Sequence, residues 1–554
     1  RLLQSGLIEA KDLERKYKDE LHANEIVLLA YYIAAVNIEN AYHDATPDPD
    51  DGIGKDTYTP FEGIVLTDTF QLGETDGSDK LFSEMFPQNS ERVAKQKQAP
   101  LRVIMGNPPY SIGQKSANDN AQNQTYPKLD NRIINTYRAN STSTSATAVK
   151  TLRDSYIKAY RWSSDRLDNA GGVICFVSNG AWIEGNSTDG FRKSLEKEFS
   201  SIWVFNLRGN QRTSGELSRK EGGKIFGIGS RTPISITLLV KNPTASNKKA
   251  LIKYHDIGDY LSREEKLTMV RKFQSVSNAE MEWHKLQPNE HGDWIKQRND
   301  VFDTFIPMAP EKKFNTTSQS FFTTYAIGVA TNRDSWALNF SKKEVETNIE
   351  RMVNFYNNEV NRFHYSLIEN PNIKFEDFIN NDSKKIRWTA ILKIRAKKKE
   401  FIAYDKHSLR ISAYRPFTKS NLYFNRYLNE AIGLSPKLFP TSDHRNTSIC
   451  ITGISASKDF SALITDNITN LDALEKAQCF PLYYYEEREK DNPSIFDTAA
   501  ESEYIRRDGV SDFILVRAKQ QYGKNVTKED VFYYVYGFLH SKEYRETFAN
   551  DLKK

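Results

Sequence analysis

Through the first half of the chain, short apolar runs that close on a polar or acidic residue alternate with helical stretches. Residues 21–26 form a short strand candidate carrying Glu25 near its end, and 27–40 have a helical composition. Residues 63–68 repeat the pattern, an apolar strand closing on Asp68, and 101–106 repeat it again, with Asn107-Pro108-Pro109-Tyr110 following at once. A helix over 154–167, a strand over 171–179, a helix over 190–199, and strands over 201–207 and 233–241 continue the series, the last two separated by a basic, Gly-rich loop. Strand, polar residue and helix recurring in this order predict an α/β fold with a doubly wound parallel sheet. From about Ser262 the rhythm stops. Charged helical stretches such as 342–359, a basic run over 384–399 and an aromatic-rich helical pair over 528–554 point instead to a mixed α+β domain. The expected division is therefore 1–261 and 262–554.

A length of 554 residues exceeds one hydrophobic core and suggests roughly two to four domains. Residues 1–18 read as an amphipathic helix with no N-cap, as expected of a piece of a longer polypeptide. With no run of about 18 apolar residues and no leader-like start, no membrane span is expected and a cytoplasmic location is. Cys175, Cys450 and Cys479 form no Cys-x-x-Cys pair, which argues against a disulfide framework and against a metal site. Gly52-Ile53-Gly54-Lys55 lacks the first Gly and the hydroxyl of a phosphate loop, so no ATPase is expected. The net charge of +5 permits nucleic-acid binding without demanding it.

Asn107-Pro108-Pro109-Tyr110 carries the most specific chemistry. Asn107 offers a side-chain carbonyl, and the two prolines fix φ and remove two N–H donors, so the Pro108 carbonyl is presented rigidly as an acceptor. Two acceptors and an aromatic ring suit an exocyclic amine on a flat heterocycle, placed where α/β sheets bind ligands, beyond a strand's carboxyl end. An ordinary turn is the alternative reading. Glu25 suits a cofactor's ribose hydroxyls or, equally, the N-terminus of the following helix. Asp68 suits an adenine amine or a turn.

The order Glu25, Asp68, Asn107 to Tyr110 and Phe176-Val177-Ser178-Asn179-Gly180 resembles the gamma class of N6-adenine DNA methyltransferases. Phe205-Asn206-Leu207-Arg208-Gly209-Asn210, Glu221-Gly222-Gly223-Lys224-Ile225-Phe226-Gly227, Tyr414-Arg415-Pro416-Phe417 and Tyr534-Val535-Tyr536-Gly537-Phe538 look more narrowly like type ISP restriction-modification enzymes. The resemblance implies an adenine DNA methyltransferase domain with a Rossmann-like sheet, then a target recognition domain. It implies S-adenosyl-L-methionine as cofactor, held by Glu25, Asp68 and Asn107, catalysis by Asn107, Pro108, Pro109 and Tyr110, and base stacking by Tyr110 with Phe226; a core Phe is the alternative for Phe226. Implied partners are double-stranded DNA with a specific asymmetric site and the nuclease, helicase-like ATPase and coupler domains that precede such domains in one polypeptide. The Gly-rich cofactor loop and the first strand before it are not found ahead of Glu25.

In the second half, basic residues lie among aromatics. Arg333, Lys384, Arg387, Arg415, Lys419 and Arg426 are the candidates for DNA contact, against the alternative of solvated charge. Two other functions stay open: a DNA-binding module that takes no cofactor, and a protein-glutamine methyltransferase, whose substrate amide poses the same chemical problem.

Overall fold

Three of the strands expected near the start form as Ala23–Glu25 (β1), Ile64–Leu66 (β2) and Val103–Gly106 (β3). The computed structural model describes residues 3, 5–45, 58–74, 86–110, 125–142, 146–167, 169–213, 215–227, 230–311, 313–314, 317–454, 456, 458–488 and 503–553. Most of the acidic loop at 44–56, Gly52 to Lys55 included, and the polar stretch directly after Tyr110 lie outside the described residues. The helix expected over 1–18 is helical only from Ala10 to Glu20.

The chain divides into two compact units, Arg1–Gln297 and Arg298–Lys554. In the first, β1 pairs in parallel with β2. A six-stranded sheet runs in the order β3, Gly172–Asn179 (β4), Ile234–Lys241 (β6), Ser201–Arg208 (β5), Leu251–Asp256 (β7) and His284–Leu286 (β8). It is mixed, not all parallel: β6 lies antiparallel between β4 and β5, so the connection that carries the short helix Gly215–Glu221 turns the chain back beside β5 instead of crossing over the sheet. Ile174, Ile202, Val204, Leu239 and Ile252 are almost wholly buried between the sheet and its helices. Each such side chain stabilises the unit by about 1.5–3 kcal/mol. A Cβ on Gly172 would lie 2.4 Å from the Arg102 carbonyl, so only glycine lets β4 begin alongside β3.

The division falls after Gln297 and not at Ser262. β8 still pairs with β7, the Arg192 guanidinium donates to the Gly292 carbonyl at 2.7 Å, and buried Trp294 donates to Glu196 Oε1 at 2.7 Å.

No described strand pairs with the edge of β1 away from β2, or with the edge of β3 away from β4. Val103 and Met105 on β3 are exposed, and so are Leu29, Tyr32, Ile33 and Val36 on the helix Leu28–Ala45. Those four positions recur at helical spacing and form one apolar stripe.

The second unit joins two four-stranded sheets and a hairpin to helices. One sheet is ordered Leu338–Asn339 (β10), Thr418–Tyr423 (β12), Leu409–Arg415 (β11), Ile468–Thr469 (β15). The other is Ala462–Thr465 (β14), Ser448–Ile451 (β13), Gln478–Pro481 (β16), Ala326–Ile327 (β9). The helix Lys342–Glu369 buries Val345, Ile349, Met352, Val353, Tyr356, Val360 and Phe363, at the three- and four-residue spacing of one face. Cys450 and Cys479 sit opposite each other on β13 and β16 as thiols, 3.3 Å apart.

Candidate functional site

β3 ends at Gly106, in register with Phe176 of β4. Beyond it Asn107 is exposed and Tyr110 half-buried. The Tyr110 hydroxyl donates to Asn107 Oδ1 at 2.9 Å and lies 3.4 Å from the Val177 carbonyl. Its ring meets Tyr156 edge to face, centroids 6.3 Å apart. Burial raises the Tyr110 phenol well above its ordinary value, so it remains a neutral donor at working pH. The Pro108 carbonyl accepts no hydrogen bond from the described residues. Among the described residues, one rigid acceptor thus stands open beside a second whose only donor is a phenol, an arrangement into which an amine can exchange.

Glu25, at the end of β1, accepts from the backbone N–H groups of Ile26 and Val27 through Oε1, at 2.8 and 2.9 Å. It therefore steadies the start of the following helix, while Oε2 has no partner among the described residues. Asp68, just past β2, accepts from Phe70 N at 3.0 Å and from the Tyr126 hydroxyl at 2.6 Å. Its turn role and its carboxylate are both in use. The three polar residues stand at, or one or two positions past, the carboxyl ends of three strands.

Phe226 is partly buried and packs on the same apolar cluster as Tyr110. Its loop is held from below by Lys266, a residue the sequence did not single out. The fully buried ammonium donates to the carbonyls of Glu221 at 2.7 Å and Gly223 at 2.9 Å. Burial brings its pKa down to about 8. Between about 8 and the ordinary lysine value of about 10.4, the unfolded chain holds a proton that the folded chain has released. Stability should therefore rise with pH across that window. Urea midpoints at about pH 7.5 and 9.5 should show the rise, and Lys266→Met should flatten it.

The basic candidates of the second unit separate. Arg333 is buried, not surface-exposed: its guanidinium donates to the Leu428 carbonyl and, at 2.8 Å, to the Thr389 hydroxyl. It is thus a correction to the expectation of DNA contact, since these partners turn its charge inward. Lys384 and Arg387 are exposed, with no side-chain hydrogen bond or ion pair among the described residues. Arg415 stacks on Tyr414, 4.0 Å from the ring centroid, and reaches Asn470 Oδ1 at 3.4 Å. Lys419 is exposed and loosely paired with Asp466 at 3.3 Å. Arg426 is exposed beside Tyr427.

Arg387 lines a polar concavity of about 290 Å³ together with Asn332, Asp334, Asn470 and Asp472. Asn332 falls in the loop-rich stretch 324–334 that the resemblance assigns to the recognition domain, whereas Asn470 and Asp472 lay outside the sequence reading, because it is tertiary pairing, such as that of Val329 with Asn470, that brings these distant loops together. Donors and acceptors are mixed there, as needed to read base edges.

Residues 320–554 match the family model of the Type ISP C-terminal specificity domain. Over its whole length (100%) the chain is similar to a nuclease-deletion mutant of the Type ISP restriction-modification enzyme LlaGI, solved in complex with a DNA substrate mimic, at 41% identity and a TM-score of 0.81, covering 40% of that chain. It is likewise similar over 100% of its length to the ATP-dependent Type ISP restriction-modification enzyme LlaBIII, solved bound to DNA, at 36% identity and a TM-score of 0.81, covering 34% of that chain. A DrdV–DNA complex solved by cryo-EM matches 99% of the chain at 31% identity and a TM-score of 0.80, and 50% of that chain is covered. No curated protein matches. The chain spans half or less of the length of these three structures. The chain thus carries the Type ISP C-terminal specificity domain at residues 320–554 and, over its whole length, matches a part of Type ISP restriction-modification enzymes, with the α/β first unit and α+β second unit of those structures.

Proposed function

We propose that the first unit methylates the exocyclic amine of adenine in duplex DNA and that the second selects the site. The observation that carries this is the placement of Asn107 to Tyr110 beyond β3, with Glu25 and Asp68 at the ends of β1 and β2. Adenine's amine is a poor nucleophile because its lone pair is delocalised into the ring. Asn107 Oδ1 and the Pro108 carbonyl accept its two hydrogens and favour a pyramidal nitrogen, which is positioning and electrostatic stabilisation without a covalent enzyme intermediate. Tyr110 offers its ring to the base, with Phe226 on the same cluster. Reaching these groups requires the adenine to leave the duplex stack.

S-adenosyl-L-methionine supplies the electrophilic methyl group when bound. The residues present fit its nucleoside part: Glu25 retains an oxygen that has no partner among the described residues and suits ribose hydroxyls, and Asp68 can exchange the Tyr126 hydroxyl for an amine. Among the described residues no Gly-rich loop stands between β1 and β3 to take the methionine part. The nuclease, helicase-like ATPase and coupler functions belong, in this proposal, to other parts of the same polypeptide.

Selection of bound duplexes from a random library by this chain tests the reading. A single asymmetric consensus is expected, and no enrichment would overturn it. Calorimetry with S-adenosyl-L-methionine separates a methyltransferase, with micromolar binding, from a DNA-binding module that takes no cofactor. A protein-glutamine methyltransferase would bind cofactor and enrich no DNA.

A further inference from the structure

Pro416 and Phe417 form the two-residue turn between β11 and β12, with Arg415 facing Thr418 across it. Phe417 is 94% exposed, the most exposed large apolar side chain among the described residues. Its φ is +59°, and proline followed by a residue at positive φ is the pattern of a type II turn, in which glycine or asparagine is usual. A phenyl ring here is unfavourable on both counts: it adopts a conformation that disfavours a side chain, and it leaves its apolar surface in water. Neither property helps the chain to fold.

The ring's surroundings point to a partner. Arg415 and Lys419 lie two positions before and after it in the chain; the Arg415 guanidinium rests on Tyr414 and the exposed Lys419 ammonium stands loosely beside Asp466. Near its turn the hairpin is pinned by Asn470 N donating to the Ala413 carbonyl at 3.0 Å, and Asn470 also lines the concavity that holds Arg387. An apolar ring at the tip of a short, proline-stiffened hairpin, flanked by positive charge, has the form of a side chain that enters between stacked bases while cations hold the phosphates.

We propose that Phe417 is a wedge that inserts into the base stack of the DNA recognised by this unit. The inference rests on the DNA reading given above and deepens it. Stacking of one base on an aromatic side chain corresponds to roughly a five- to 150-fold change in affinity.

The test uses the whole chain and duplexes recovered from the library, with 2-aminopurine placed in turn at each adenine position. Wild type should show a fluorescence rise at the target adenine, which leaves the stack for methylation, and a second rise at the step that the wedge opens. Phe417→Ala should lose the second rise and bind at least about fivefold more weakly, with the slope of log affinity against log salt unchanged, because no phosphate contact is lost. Phe417→Trp should keep the second rise. Phe417→Gly, which suits the positive φ, should bind as weakly as the alanine variant yet melt at a higher temperature than wild type. Full affinity and an unchanged second rise in Phe417→Ala would overturn the wedge alone. A lower melting temperature for both the alanine and glycine variants would overturn it too, by showing that the ring is covered in the folded chain. If wild type enriches no duplex, the DNA reading fails and the wedge with it.

Discussion

Asn107→Ala in the intact enzyme should lower methyl transfer to DNA by on the order of 100- to 1000-fold, with retention of duplex in a gel shift unchanged. The variant removes one of two acceptors for the adenine amine and leaves the Pro108 carbonyl in place, so the nitrogen loses the geometry that makes it nucleophilic. The fold should tolerate the change. Asn107 is exposed, and its side chain is tied through the Tyr110 hydroxyl at 2.9 Å, a bond whose loss costs roughly 0.5–1.5 kcal/mol. Incorporation of labelled methyl groups measures the first effect and thermal unfolding the second. Full methylation by Asn107→Ala would remove the residue from the chemistry, and loss of DNA retention would move it from chemistry to binding.

Arg333→Met should destabilise the second unit by roughly 3–5 kcal/mol without altering the salt dependence of whatever DNA binding survives. Methionine keeps most of the volume and removes every donor, so the Leu428 carbonyl and the Thr389 hydroxyl are left in the interior without their partner. Burial brings the arginine pKa down to about 10, which still leaves it charged at neutral pH and dependent on those acceptors. Arg387→Met is the contrast. Its side chain is exposed and unpartnered among the described residues, so stability should stay within about 0.5 kcal/mol. Urea melts of both variants decide the matter: a stable Arg333→Met chain would return Arg333 to the list of DNA contacts.

Arg333 and Arg387 also show where sequence reasoning stops. Both are arginines near aromatics in a basic half, and nothing local tells them apart. What turns Arg333 inward comes from residues 56 and 95 positions away. By contrast, Asn107 to Tyr110 could be read directly, because two prolines, a strand-ending glycine and a carboxamide act through their own backbone geometry. The acids closing β1 and β2 could be read for the same reason. Sheet order could not: β6 has the same apolar alternation whether it runs parallel or antiparallel. The extent of the first unit was hidden as well, since β8 is three residues long and its hold on the sheet depends on Arg192 and Trp294. Nor does spacing reveal that Cys450 and Cys479 face each other, which the register of β13 and β16 alone decides.

The edges of β1 and β3 that no described strand covers, and the exposed stripe Leu29, Tyr32, Ile33 and Val36, are surfaces on which another chain can settle. An unpaired strand edge is a template for any other strand, and an uncovered apolar stripe holds whatever lands there. Two charges blunt these edges, Arg102 directly before β3 and Glu25 at the end of β1. Strand pairing between molecules begins where such gatekeepers are neutralised. The two charges are opposite in sign, so an edge meeting its own kind in a second molecule is repelled while β1 meeting β3 is attracted, and salt, by screening both, narrows that difference.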